Sequence, residues 1–312
     1  MPERVLLTGG TGFFGRRIAE ALRARGHEVA TPGRPEFDLL DPSSTLRTLE
    51  KLRPQAVVHS AAYYGGLGIC IAEPVRIFRD NVLMGINLLD AAAQTGVKKF
   101  MAVGSACSYP GGVVGDMREA DLWSGPLHPS VESYGFTKKV LEVGVRSYGR
   151  GHGIVGQMPV ITNLYGEHDV FGEYRSHVAA ALIKRFADAV LSNAKEVVCW
   201  GTGAPVREFI YSGDAAEGVV RLLESDYTEP LNIGTGIGTS IKELSELTAK
   251  LTGFKGEVVW DTSKPDGVMR KVLDVSKMES VLGWKPPTSL EEGLAKTIKW
   301  YLAHKDEADA RP

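Results

Sequence analysis

Cysteine is scarce in this chain, and long apolar runs are missing. Three cysteines among 312 residues, Cys70, Cys107 and Cys199, are too few and too odd in number for a disulfide framework, and nothing falls at metal-ligand spacing. A reducing compartment, the cytoplasm, and the absence of a bound metal are the expectations. No segment has the apolar length to span a bilayer, and no charged, apolar and small-residue leader is evident, so no membrane partner is expected. Charge of one sign is lacking too: 36 Lys+Arg against 38 Asp+Glu leave a net −2, which gives nucleic acid no electrostatic foothold. There is no internal repeat, and the one biased stretch is a charged tail, Lys305 to Pro312, expected to fray. What remains is an ordinary globular composition, 43% hydrophobic and 24% charged, in a length that builds one large or two modest domains.

The first pattern in the chain is Val5-Leu6-Leu7, then Thr8-Gly9-Gly10-Thr11-Gly12-Phe13-Phe14-Gly15, then a helical stretch to about Arg25. A strand, a glycine turn and a helix in this order form a dinucleotide site. Gly9 permits the tight turn, Gly12 lets backbone approach a pyrophosphate, and Gly15 lets helix and strand pack closely. The anion sits on the helix N-terminus, where free N–H groups and the dipole favour it. After the second strand, Ala30-Thr31-Pro32-Gly33-Arg34 carries no carboxylate until Glu36. An acidic residue there suits the ribose 2′-OH of NAD and an arginine suits a 2′-phosphate, so Arg34, with Arg16 beside it, favours NADP(H).

The second pattern is Tyr134-Gly135-Phe136-Thr137-Lys138. A Y-x-x-x-K spacing places both side chains on one face of a helix. An ammonium beside a phenol favours the phenolate and lowers its pKa from about 10. Such a tyrosine exchanges a proton with a sugar or alcohol oxygen while hydride moves at the carbon beneath. Ser105, at the end of the apolar run Phe100 to Gly104, is placed to hold the same oxygen. Cys107, two residues on, points to Ser105's side if the strand stays extended.

Strands alternate with helical segments through Ala56-Val57-Val58-His59, Asn87 to Ala93, Phe100 to Val103 and Ile154 to Pro159. That rhythm predicts an α/β fold, a doubly wound parallel sheet of Rossmann type. After about Tyr165 the rhythm changes to glycine- and proline-punctuated segments. The expected division is a dinucleotide-binding domain over 1–165, with 206–228 returning to it, and a smaller C-terminal substrate-binding lobe over 166–205 and 229–312. A ligand between the lobes lies at the carboxyl ends of the strands.

With these motifs the chain resembles the extended short-chain dehydrogenase/reductase superfamily, and more closely the GDP-L-fucose synthase family. The closer resemblance rests on His59-Ser60-Ala61-Ala62 with Gly65-Gly66, Gly104 to Pro110, Thr162 to Asp169, Ser176-His177-Val178, Trp200 to Gly203, Arg207-Glu208-Phe209, and Lys264-Pro265-Asp266-Gly267 with Arg270-Lys271. It implies an NADPH-dependent enzyme that inverts C3 and C5 of a GDP-4-keto-6-deoxy-D-mannose-type sugar and then reduces C4. A ketone at C4 acidifies the hydrogens on its neighbours, so a base on one face and an acid on the other invert each centre. The resemblance makes Cys107 the base and His177 the acid, with Ser105, Tyr134 and Lys138 serving the reduction. It places the cofactor on Gly9, Thr11, Gly12, Phe13, Phe14, Gly15, Arg34, Ala61, Ala62, Tyr134 and Lys138. The GDP-sugar falls to Asn163, Arg185, Trp200, Arg207 and Lys271, and a homodimer through the Tyr134–Lys138 helix is implied, with Val140, Leu141, Val143 and Val145 as candidate surface. Cys70 and Cys199 receive no role.

The chain departs from the family pattern at Val131, Ile161, Val170 and Cys70-Ile71, all around the expected sugar pocket. Alternatives therefore stay open: a colitose- or 6-deoxy-heptose-type GDP-4-keto sugar, or a C4 reductase or epimerase only. A 4,6-dehydratase is disfavoured, because Ala106-Cys107 stands where such enzymes carry Asp-Glu. Intact Ser105, Tyr134 and Lys138 speak against a non-catalytic cofactor-sensing module.

Overall fold

In the computed structural model, which describes residues 3–34, 36–172, 175–264 and 266–311, the first apolar run is β1 (Arg4–Thr8) and its glycine turn opens into α1 (Phe13–Ala24). Of the sequence segments singled out above, Pro265 and the terminal Pro312 lie outside the described residues. There follow β2 (Glu28–Ala30), α2 (Pro42–Leu52), β3 (Ala56–His59), α3 (Leu67–Ala72), α4 (Pro74–Gln94), β4 (Lys99–Ala102), β5 (Gly104–Ser105), α5 (Glu132–His152) and β6 (Val155–Ile161). Alternate side chains of β1 go to opposite faces: Val5 and Leu7 join one core with Ile18 and Leu22, while Leu6 joins another with Leu88 and Leu141. Strands buried on both faces read as unbroken apolar runs, which is why the buried stretches of β1, β3 and β4 are mostly apolar.

The parallel sheet has the order β2-β1-β3-β4-β6, with the short β5 alongside β6. Strand order reverses between β1 and β3, and a crevice opens there at the carboxyl ends. Beyond Ile161 come β7 (Asn163–Tyr165), α6 (Val178–Leu191), β8 (Glu196–Trp200), β9 (Val206–Tyr211), α7 (Ser212–Glu224), β10 (Pro230–Ile233), β11 (Gly238–Ser240), α8 (Ile241–Thr252), β12 (Glu257–Asp261), β13 (Arg270–Lys271), α9 (Ser276–Leu282), α10 (Leu290–Ala303) and α11 (Lys305–Asp309). A second core, with Phe171, Ile183, Phe186, Leu244, Leu294 and Tyr301, fills the smaller lobe. Its strands β11-β9-β13 and β7, which pairs with β9, face the crevice from the other side.

Three details differ from the sequence expectation. The return to the first lobe runs past residue 228, because β10 pairs in parallel with β6 and Met278 and Trp284 pack into the same core as α1 and α7. That return is masked in the sequence because Asn232, fully buried in β10, interrupts the apolar signal; its side chain accepts from the Tyr109 hydroxyl at 2.6 Å and donates to Met117 O at 2.9 Å. The charged tail is not frayed: it forms α11, with Ala308 buried, Lys184 Nζ 2.9 Å from Asp309, and Arg311 donating to His168 O at 3.0 Å. Third, the extended strand stops at Ser105, and Ala106–Ser108 is a 3-10 turn capped by the Ser105 hydroxyl. Among the described residues, no helix is long and apolar enough to cross a membrane.

Candidate active site

The glycine turn closes by Gly12 N donating to Gly9 O at 3.0 Å. Gly9 has φ +70°, and a Cβ on it would lie 2.8 Å from Ala61 N; a Cβ on Gly15 would lie 2.0 Å from Gly9 O. No side chain fits at either position, so the turn, the helix start and the Ser60-Ala61 backbone meet with nothing between them. Thr8 Oγ1 lies 2.8 Å from His59 Nδ1 and accepts from Ala61 N at 3.2 Å, tying β1 to β3 at their carboxyl ends. Burial, then the nearby Lys138 charge, push His59 down to about 3, so it is a neutral strut.

The turn forms one end of a cavity of about 630 Å³, within the usual range for cofactor sites. Gly9, Thr11, Gly12, Phe13, Phe14 and Gly15 line it, as do Arg34, Ala61 and Ala62. Ser105, Cys107, Tyr134, Lys138, Asn163, His177 and Lys271 line the same cavity. The turn offers unblocked backbone at a helix start, and Arg34 is exposed at the end where a 2′-phosphate would lie. These residues fit a phosphorylated dinucleotide.

Tyr134 enters the cavity from the first turn of α5. Gly135 lets α5 press onto the 3-10 turn, since a Cβ there would meet Cys107 O at 2.2 Å. Tyr134 and Cys107 are therefore neighbours by packing, although the chain between Ser105 and Cys107 is not extended as the sequence suggested. Ser105 Oγ accepts from Cys107 N at 3.2 Å, which ends the strand by local side-chain bonding.

Lys138 departs from expectation. Its Nζ donates to Val103 O at 2.8 Å and lies 5.3 Å from the Tyr134 ring centroid. Burial, with Cys107 and Cys70 nearby, pushes the Tyr134 phenol up rather than down. Burial lowers Lys138 to about 8, against the opposing pull of Cys107. The resting tyrosine is thus a neutral proton donor.

Gly66 N donates to Arg175 O at 3.0 Å, and a Gly66 Cβ would lie 2.4 Å from Ser176 O. That bare contact seats the segment before α6 and brings His177 to the wall. His177 Nδ1 is 3.9 Å from the buried carboxylate of Asp169. Burial opposes its charge, but Asp169 and, less strongly, Cys107 raise it above the ordinary histidine value. Burial alone would push the Cys107 thiol up, yet Lys271, Ser105, Tyr64 and His177 bring it below the ordinary value. Lys271 Nζ and the Tyr64 hydroxyl each lie 3.7 Å from Cys107 Sγ. Tyr64 stacks on Tyr134 with ring centroids 3.7 Å apart and planes at 20°.

Asn163 lines the cavity but commits its amide to Glu208 O at 2.7 Å. Arg185, Trp200 and Arg207, the other three expected substrate residues, do not line the cavity, though Arg207 is part-buried and close enough to feel the Cys107 charge. Arg185 donates to Val198 O at 2.7 Å. Trp200 is largely exposed, with Lys264 Nζ 5.8 Å from its ring centroid. Arg207 pairs in register with Lys271 across β9 and β13.

Sequence reasoning missed Asp169 and Tyr64. Asp169 was findable, since a carboxylate eight residues before a candidate acid histidine is a natural partner for it. Tyr64 gave no signal beyond its place before Gly65-Gly66.

The chain belongs to the NAD dependent epimerase/dehydratase family, whose model matches residues 5–234. Relatives within it include the GDP-L-fucose synthase of Escherichia coli (strain K12), 38% identical over 97% of this chain and 98% of that protein. The GDP-L-colitose synthase of Yersinia pseudotuberculosis is 33% identical over 97% of this chain and 99% of that protein. Among solved structures, a GDP-L-fucose synthetase from Naegleria fowleri bound to NADP matches with TM-score 0.90 at 29% identity, covering 98% of this chain and 95% of that one.

Proposed function

We propose that the chain is an NADPH-dependent epimerase–reductase that converts a GDP-4-keto-6-deoxy-D-mannose-type sugar to GDP-L-fucose. One observation carries the reading: a reductase tyrosine and a cysteine–histidine acid–base pair open into the same cavity, beside a dinucleotide turn. The Gly9–Gly15 turn, Arg34, Ala61, Ala62 and Lys138 hold the cofactor. When bound, NADPH supplies the hydride for C4.

Cys107 takes the proton from C3 or C5, and the electron pair moves onto the C4 carbonyl as an enolate. His177, whose charged form is favoured by Asp169, returns a proton on the opposite face. For the reduction, Ser105 hydrogen-bonds O4 and Tyr134 protonates it. Arg207, beside Lys271 across β9 and β13, is the cation offered to the diphosphate, for which a guanidinium offers two parallel hydrogen bonds. Arg185 and Trp200, outside the cavity lining, meet the outer part of the nucleotide.

The division into a cofactor lobe and a nucleotide-sugar lobe belongs to this reading, as do a cytoplasmic location and a homodimer. Two exposed apolar stripes on packed neighbours support the dimer: Val75, Phe78 and Ile86 on α4, Phe136 and Val143 on α5. Leu141 and Val145 of the expected surface are instead buried in the core.

The test is incubation with GDP-4-keto-6-deoxy-D-mannose in deuterated water, with and without NADPH, read by mass and NMR. Deuterium at C3 and C5, with GDP-L-fucose formed only when NADPH is present, is the expected result. Reduction without deuterium would make the protein a plain C4 reductase. No turnover, with activity on a colitose- or heptose-type keto sugar, would favour the second reading, motivated by Val131, Val170 and Cys70 near the pocket.

Gly15→Val should weaken NADPH binding about ten- to a hundredfold, because overpacking at a bare backbone contact costs roughly 1–3 kcal/mol. Titration of the reduced cofactor's fluorescence measures this directly, and unchanged affinity would place the cofactor elsewhere.

A further inference from the structure

The Cys107 thiol lies in a setting that a base needs and a structural cysteine does not. Lys271 Nζ on β13 and the Tyr64 hydroxyl each sit 3.7 Å from its sulfur. Ser105, whose Oγ accepts from the Cys107 backbone N–H at 3.2 Å, is a further polar neighbour, and the imidazole of His177 lies beyond. Other titratable groups face it from every side: Cys70 on α3, Tyr134 and Lys138 on α5, His177 before α6, and Arg207 on β9. Among the described residues, Lys271 is the lysine or arginine whose nitrogen lies within hydrogen-bond reach of the sulfur.

We propose that Cys107 rests as a thiolate held between the Lys271 ammonium and the Tyr64 phenol, and that these two residues set its basicity. The inference deepens the epimerase reading and rests on it only for the use to which the thiolate is put. Lys271 and Tyr64 act through Cys107 and are positioning residues.

Four features support it. The Tyr64 phenol is pushed well above its ordinary value, first by burial and then by Cys107, so it stays protonated and donates. Tyr64 cannot swing away freely, since its ring is stacked on Tyr134 and its carbonyl accepts from Arg175 at 3.1 Å. Lys271 is fixed by its strand: Leu273 N, two residues on, donates to buried Glu208 at 2.7 Å. Cys107 and the imidazole of His177 lower and raise each other in the directions a thiolate–imidazolium pair requires.

In the reaction the C–H bond breaks, an S–H bond forms, and the pair left behind becomes the enolate. The His177 imidazolium gives up its N–H proton to carbon on the other face. The thiol then loses its proton to water and the imidazole regains one, which closes the cycle with no redox partner. Tyr64 would keep its proton throughout, donating more strongly to the thiolate than to the thiol.

The test needs neither cofactor nor sugar. Purified protein is alkylated with iodoacetamide across pH, and modification of Cys107 is followed by peptide mass so that Cys70 and Cys199 are counted apart. The wild-type midpoint is expected below the ordinary cysteine value of about 8.5. Lys271→Met should move it upward and slow alkylation at pH 7 by about tenfold, the effect of one pKa unit. Tyr64→Phe should move it in the same direction by less, and Lys271→Arg, which keeps the cation, should restore most of the wild-type profile. A wild-type midpoint at or above the ordinary value overturns the proposal, and so does a Lys271→Met profile that superposes on wild type. If the thiolate is found but no deuterium enters C3 or C5, the functional reading fails and the thiolate assignment stands.

Discussion

Tyr134→Phe is expected to slow C4 reduction by about 10²–10⁴-fold, the usual worth of a positioned general acid, while deuterium exchange at C3 and C5 continues. The phenylalanine ring keeps the stack on Tyr64, 3.7 Å away, so the wall of the cavity holds its shape and only the hydroxyl is lost. Cys107 and His177 do not depend on that hydroxyl for their own hydrogen bonds. The two half-reactions should therefore separate in one variant. Loss of reduced-cofactor absorbance reads one half, and mass reads the other. Reduction at the wild-type rate would remove Tyr134 from the mechanism, and loss of both activities would mean that the substitution had disturbed the whole site.

The same assay across pH carries a further expectation. Burial raises the Tyr134 phenol, so it does not titrate in the working range. Lys138, lowered to about 8 by burial, does. A lysine is charged below its pKa and neutral above it, so reduction should decline as pH rises through about 8, and the falling limb belongs to Lys138.

Glu208→Ala should be the most destabilising single change near the site. Glu208 is fully buried on β9, and its carboxylate accepts from the backbone N–H of Thr235, from Gly236 N at 2.9 Å and from Leu273 N at 2.7 Å. Burial, only partly offset by these bonds, raises its pKa. Removing the carboxylate strands three amides, each costing about 1–3 kcal/mol when unsatisfied, together with an empty space. We expect a loss of at least about 3 kcal/mol, seen as a melting temperature roughly 6–12 °C lower. Glu208→Gln should fall between, since its oxygen can serve one pair of amides while its NH₂ confronts the third. A melting temperature within about 2 °C of wild type would show that water replaces the carboxylate.

Much of the first lobe is legible in the sequence because its signals are local. Short aliphatic strands alternate with helices, and glycines fall where a side chain would strike backbone, as at Gly9 and Gly15. The Tyr134–Lys138 spacing does mark a helix, and both residues reach the cavity. The relation between them was less readable: a spacing of four says that two side chains share a face, but not which acceptor the ammonium finds, and Val103 O takes it. The 3-10 turn at Ala106–Ser108 was hidden for a related reason. An apolar run predicts extension until a short polar side chain bonds its own backbone, and Ser105 does so. The signal was present in Ser-x-x-Ser-Tyr-Pro, a turn-prone sequence. Tyr64 belongs to neither period, and its partners lie 43 and 70 residues away, so only the folded chain reveals it. The tail misled through composition, because charges that suggest solvent are matched by Lys184 and Asp188 on α6.

The path of the backbone has a consequence for how such a protein can diversify. It leaves the parallel sheet after Ile161, comes back with α7 and β10, departs for β11 to β13, and touches the first core again through Met278 and Trp284. No single breakpoint in the gene would separate the second core from the parallel sheet. Exchange of one contiguous segment does not swap one half for another, and single replacements along the cavity wall, where Val170 and Tyr64 stand, are the shorter route to a changed ligand.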